Sequence, residues 1–186
     1  MKLLIVDACV RGDVSATRRF YTRYLETIKE QDIEVSLLDL ASSGLQPLGK
    51  EELSLRDGLS AEEKEKHEFC ALARELRDAD EIIVAAPYWD LSFPSCLKVY
   101  LEHVSIAGIT FRMTASGYQG LCRAKKARYF CTSGGILSSN HGYEYVRDLF
   151  RMFGIEDTEL YSIEGLDVEP EKREQYLSEG IEYYFG

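Results

Sequence analysis

The sequence predicts an α/β fold, a parallel sheet with helices on both faces. Three observations predict it. Short apolar runs recur along the chain and are bounded by turn-forming residues. A stretch of helical periodicity separates each run from the next. The loops after the first, third and fourth runs carry glycine, proline, hydroxyl and aromatic residues, as a ligand-binding sheet edge does.

The runs are Leu3 to Val6, Glu34 to Leu40, Glu81 to Ala86, Ala127 to Thr132 and Thr158 to Glu164. Most alternate little, as strands covered on both faces do. Phe20, Tyr24 and Ile28 mark the first helix. Phe69, Leu72, Ala73 and Leu76 mark the second, and Ser60 with Glu63 has the spacing of a capping box at its start. The third helix follows Pro94 and carries Leu97, Leu101 and Val104. The fourth carries Val146, Leu149, Phe150 and Phe153, with Gly154 where a C-cap glycine belongs. The fifth begins near Pro170 and sets Leu177, Ile181 and Tyr184 on one face.

Right-handed crossovers turn this order into a three-layer sandwich. The flavodoxin-like strand order 2-1-3-4-5 suits a five-stranded parallel sheet. The 186 residues predict a single domain, 1–186. Two connections, 41–59 and 108–126, exceed ordinary loop length, a sign of function or of an interface.

A hydrophobic content of 45% and a charged content of 29% are those of an ordinary soluble protein. The net charge of -10 argues against nucleic acid and against anionic membrane surfaces. The densest basic cluster, Arg123 to Arg128, reads as a solvated turn before a strand. No apolar run reaches the length of a membrane span. The opening apolar run ends at Asp7, too soon for a signal peptide, so a cytoplasmic protein is expected. The five cysteines include no C-x-x-C and suit reduced thiols; the three histidines have no metal-ligand spacing. No metal is expected.

The three loops converge at one edge in this topology. In the first, Gly12 permits a tight turn, and Ser15 and Thr17 bring hydroxyls to a helix start where free amides attract anions. Arg11 has the fork that binds a phosphate. Ser15 suits plain N-capping equally well. The second loop, Pro87, Tyr88, Trp89, Asp90 and Leu91, offers aromatic faces for a flat ligand such as a flavin. It also offers amides for the ring edge. Neighbouring residues at a strand end point opposite ways, so one of Tyr88 and Trp89 is expected at the ring. In the third loop, Thr132, Ser133, Gly134 and Gly135, two glycines allow close backbone approach; a plain glycine turn is the other reading. His141 beyond it is either a structural residue or a group that stabilises charge or donates a proton.

The chain resembles the FMN-dependent flavodoxin-like reductases, the NADH-azoreductases and NAD(P)H:quinone oxidoreductases. The matching blocks are Pro87-x6-Pro94-x2-Leu97-Lys98, the segment Gly108 to Thr114 with Gly120-Leu121, and Thr132 to Gly135. The resemblance implies tightly bound FMN, NADH or NADPH as reductant, and ping-pong hydride transfer to a small-molecule acceptor, a quinone or azo compound. It also implies a homodimer with the flavin at the subunit interface. Carried over by position, Arg11, Ser15, Ala16 and Thr17 would hold phosphate. Cys9 stands where azoreductases often have Ser, and Asp90 where they often have Asn. Phe111, Met113 and Tyr118 would line the substrate pocket, Met113 replacing the usual Tyr. The competing functions are an electron carrier of flavodoxin type, which the acidic surface would suit, and a flavin-free binding or regulatory module on the same fold.

Overall fold

The computed structural model describes residues 1–186. The chain opens with β1 (Lys2–Asp7), α1 (Ala16–Ile28) and β2 (Glu34–Asp39). Three helices follow, α2 (Lys50–Gly58), α3 (Ala61–Lys64) and α4 (Ala71–Asp78). Next come β3 (Glu81–Ala85), α5 (Ser95–Val104), and the short strands β4 (Phe111–Thr114) and β5 (Gly117–Gly120). The chain closes with β6 (Lys126–Thr132), α6 (His141–Met152), β7 (Asp157–Ile163) and α7 (Arg173–Phe185).

The central sheet is parallel, in the order β2-β1-β3-β6-β7. This is the expected order, with β6 and β7 as the fourth and fifth strands of the sheet. Asp7 pairs with Asp39 and Ala85, and Ala85 with Phe130, so the carboxyl ends lie level and their loops share one edge. Side chains alternate between two buried faces. Leu3, Ile5, Ile83 and Phe130 meet α1 and α7, whose Phe20, Tyr24 and Leu177 fill that side. Leu4, Val6, Ile82 and Tyr129 meet α4, α5 and α6. Tyr184 and Phe185 pack their rings against Phe20, while Tyr183 stays exposed.

Four local readings change. The connection 108–126 holds the antiparallel β4–β5 hairpin, which is outside the main sheet. The connection 41–59 holds α2. The Ser60–Glu63 capping box is present, but it caps the short α3; the chain leaves helical geometry at His67 and α4 starts anew at Ala71. A capping box acts on one turn and does not specify how far the helix runs. Lastly, β2 is an edge strand with Val35 and Leu37 exposed, so it is not covered on both faces.

The basic cluster is neutralised by acids. Arg123 pairs with Asp80 at 2.8 Å, Lys126 with Glu159 at 2.7 Å, and Arg128 with Glu81. No helix is long and apolar enough to cross a membrane. All five cysteines are free.

Two measurements test this packing. A Cβ on Gly120 would stand 2.1 Å from the Gly154 nitrogen, where no side chain can yield. Gly120→Ala is expected to lower stability by about 1–3 kcal/mol or more in urea unfolding. Gly58→Ala, at a helix end with open space, is expected not to. The second test is stability against pH. Burial pushes the Cys122 and Cys131 thiols up to about 12. The unfolded chain loses these protons first, near pH 8.5 or so, about the ordinary thiol value. Stability is therefore full below that value and falls as pH rises through it. The urea midpoint, measured on either side, is expected to drop on the alkaline side, and less so in a Cys122→Ala, Cys131→Ala double variant.

Candidate active site

β1 ends in Asp7, whose side chain is wholly buried. One carboxylate oxygen accepts the Cys9 amide at 2.7 Å. The other accepts the Tyr21 hydroxyl at 2.7 Å and meets Arg18 Nε at 2.7 Å. Burial opposes the charge on Arg18, but the adjacent Asp7 carboxylate outweighs that and holds its pKa above the ordinary value. Arg18 also reaches Asp39 at 3.3 Å. These contacts fix the start of α1 against the sheet edge. Ser15 caps the helix, its hydroxyl accepting the Arg18 amide at 3.3 Å. The Thr17 hydroxyl lies 2.7 Å from that of Thr132, joining the first turn of α1 to the end of β6. Gly12, at φ +60°, makes the turn between β1 and α1.

A cavity of about 250 Å³ opens at this edge. Arg11, Ser15 and Ala16 line it from the first loop, with Val14. Pro87, Tyr88 and Trp89 line it from the loop after β3, and Thr132, Ser133 and Gly134 from the loop after β6. The three loops singled out in the sequence therefore meet. Tyr88 and Trp89 both face the cavity, because Trp89 begins a turn and strand alternation ends there. The Arg11 guanidinium lies 5.5 Å from the Trp89 ring centre, a cation–π contact.

A fourth segment completes the wall: Leu166 and Asp167 after β7, and Arg173 at the start of α7. Sequence pattern did not mark it. One signal was available: a cation in the first turn of a helix opposes the helix dipole, so it calls for another reason to be there. This segment braces the glycine loop. The amides of Leu166, Asp167 and Gly165 donate to the carbonyls of Ser133, Gly134 and Gly135 at 3.1, 2.9 and 3.1 Å. Those carbonyls are engaged, while the Gly134 and Gly135 amides have no partner in the chain. Gly134 has a second duty: a Cβ there would lie 2.3 Å from Asp167 Oδ2.

The loop after β3 ends in a two-residue turn. Trp89 and Ser92 exchange backbone hydrogen bonds of 3.1 and 2.8 Å across Asp90 and Leu91. Both central residues have positive φ, +50° and +64°, a hairpin geometry that favours Asn, Asp and Gly. Asp90 tolerates it; Leu91 is strained there and 68% exposed. The Asp90 and Leu91 amides are unpaired.

Several predicted residues do not line the cavity. Asp90, Leu91 and Gly135 lie outside its wall. Thr17 is buried behind it, its hydroxyl held by Thr132. Cys9 is buried with its thiol 3.8 Å from the Ala85 carbonyl, because Asp7 holds its amide and turns it inward. Burial and the Asp7 charge raise its pKa, so Arg11 and the helix start do not activate this thiol. The His141 ring is exposed, 3.2 Å from Ser139 Oγ and 3.2 Å from Glu144. Phe111 stacks on Phe153, while Met113 and Tyr118 are 64% and 63% exposed on the hairpin. Within one copy of the chain none of the three reaches the cavity.

The donor set fits a phosphorylated flavin. Arg11 and the leading amides of α1 suit a phosphate, and the aromatic wall suits a ring face. The free glycine amides suit the acceptor-rich edge of such a ring.

Comparison with known proteins agrees with this geometry. The model of the flavodoxin-like fold family matches residues 1–185. An FMN-dependent NADH:quinone oxidoreductase from Clostridium perfringens is 35% identical over 187 residues, 97% of this chain and 94% of that one. A protein of the same name from Gluconobacter oxydans is 35% identical, covering 89% of each. Among solved structures, an azoreductase from Bacillus anthracis is 25% identical with a TM-score of 0.83, covering 98% of this chain and 96% of that one. An FMN-dependent NADH-azoreductase of Bacillus anthracis, solved in complex with FMN, shares the fold at 22% identity and a TM-score of 0.81, with the same coverage. With its sheet order, its convergent loops and these relatives, the chain belongs to the flavodoxin-like family that includes the FMN-dependent NADH:quinone oxidoreductases.

Proposed function

We propose that this protein is an FMN-dependent NAD(P)H oxidoreductase that reduces quinones, azo compounds or similar small acceptors. The observation that carries the reading is the cleft wall, where a cation and helix-start residues, an aromatic pair and the glycine with an unpaired amide, Gly134, converge. FMN, when bound, would supply the redox chemistry between the nicotinamide and the acceptor. The chain supplies position and electrostatics. Arg11 and the amides that begin α1 hold the phosphate. Tyr88 and Trp89 cover the ring. The Gly134 amide would donate to acceptor atoms at its edge, and a ring that extends past the cavity wall would meet the unpaired amides of Gly135, Asp90 and Leu91.

A homodimer is part of this proposal. Phe111, Met113 and Tyr118 do not reach the cleft of their own chain, and the outer two are largely exposed. A second copy that set its hairpin over the cleft would give these residues their place in the acceptor pocket and would shield the flavin from water.

The purified protein, mixed with FMN, is expected to take up flavin and to lose its visible flavin absorbance on anaerobic addition of NADH. Steady NADH consumption with menadione should follow. Bound flavin that does not bleach would make the protein an electron carrier, and no uptake would make it a flavin-free module. Asp90 is the residue to change next. An ionised carboxylate there accepts but cannot donate, and it disfavours negative charge on reduced flavin. Asp90→Asn is expected to raise the flavin midpoint potential, read by spectroelectrochemical titration; an unchanged or lower value counts against the placement of Asp90 near the ring.

A further inference from the structure

We propose that Arg173 is a second cationic contact for the phosphate of bound FMN, set in place by Asp167, and that it makes the cleft select FMN over riboflavin. The proposal rests on the flavin reading above and names a residue that the three recognised loops do not contain.

The argument starts from how this chain uses its arginines near the cleft. Arg18 is held by Asp7 and Asp39. Arg19 is held by Glu174 at 2.8 Å. That leaves Arg11 and Arg173 as the cations that line the cavity, with Asp167 as its one carboxylate. Two guanidiniums against one carboxylate is a local reversal of sign in a chain of net charge -10. The cavity therefore favours an anion that the rest of the surface repels.

Position supports the same reading. The Arg19–Glu174 pair ties the residue next to Arg173 to the first turns of α1. Arg173 thus shares one cavity with Ser15 and Ala16, at the end of α1 where the phosphate is placed. Helix stability does not account for a cation here, since the dipole at a helix start disfavours it. Asp167 does account for its orientation. Its amide donates to the Gly134 carbonyl at 2.9 Å, its Oδ1 pairs with Arg173, and its Oδ2 fills the space that a side chain on residue 134 would take. The Asp167 side chain is 62% exposed, and the Arg173 side chain it pairs with is 35% exposed. A guanidinium has five N–H donors, and the bond to Asp167 uses one nitrogen, Nη1; the rest of the fork is free for a phosphate oxygen.

The experiment compares FMN with riboflavin, which differ by the phosphate. Dissociation constants of both are read by quenching of flavin fluorescence, for the unchanged protein, Arg173→Gln and Asp167→Asn. Arg173→Gln is expected to weaken FMN binding by about tenfold, the scale of one charged hydrogen bond, and to leave riboflavin binding unchanged. Asp167→Asn, which leaves the guanidinium present but unanchored, is expected to lose part of the same preference, and it gives the readout if Arg173→Gln does not fold. A preference for FMN that survives both changes overturns the role of Arg173, and so does an equal loss for both ligands. If the unchanged protein binds neither flavin, the flavin reading falls and this proposal with it.

Discussion

Asp7 ends β1, the strand between β2 and the central β3, in a place water does not reach, and it must find all its partners inside the protein. It finds the Cys9 amide, the Tyr21 hydroxyl and the Arg18 guanidinium. These partners belong to the exit loop and to two successive turns of α1, so one carboxylate sets both the path of the loop and the seat of the helix. Arg18 carries the constraint on to Asp39 at the end of β2. Removing one member of a buried pair of this kind leaves a charge stranded and costs about 3–5 kcal/mol. Ser15 and Ala16 line the cleft because this network holds the helix there.

A second constraint shapes the opposite wall. Backbone groups away from water must be paired, and the loop after β6 pairs its carbonyls with the amides of the segment after β7. The amides of Gly134 and Gly135 are what remains. Because the backbone carbonyls of this loop are used, its backbone offers the cleft donors, which suits the electron-rich edge of a flavin. Thr17 and Thr132 link the two walls through their hydroxyls, so the start of α1 and the end of β6 are tied together.

The β4–β5 hairpin stands outside the main sheet. It is fastened beneath by Phe111 on Phe153, and by Gly120 lying against Gly154. Its outer side chains stay in solvent. Met113 and Tyr118 are exposed side by side across the strand pair, an apolar spot a second copy of the chain could cover.

The sequence by itself determined the sheet. Apolar runs such as Ile82 to Val84 mark the strands, the βαβ crossover has one hand, and the order 2-1-3-4-5 suits five such strands. Most of the cleft was equally plain, because Arg11, Ser15, Pro87, Tyr88, Trp89, Ser133 and Gly134 sit at strand ends whose place in the fold is fixed by topology. The tertiary structure decided the rest. Cys9 stands two residues from Asp7, yet hydrogen bonding to that carboxylate turns it inward, and no spacing rule encodes that. Gly134 looked like a glycine kept for a ligand, and it is also the glycine that admits Asp167. Asp167 and Arg173 are remote in sequence from the three loops and carry no motif; they enter the cleft only because β7 lies beside β6 and α7 packs along α1. Local pattern specifies which elements form, since their periodicities are properties of a few neighbouring residues. Which side chains meet at the cleft depends on contacts between residues far apart in the chain, and those exist only once the sheet has closed its layers.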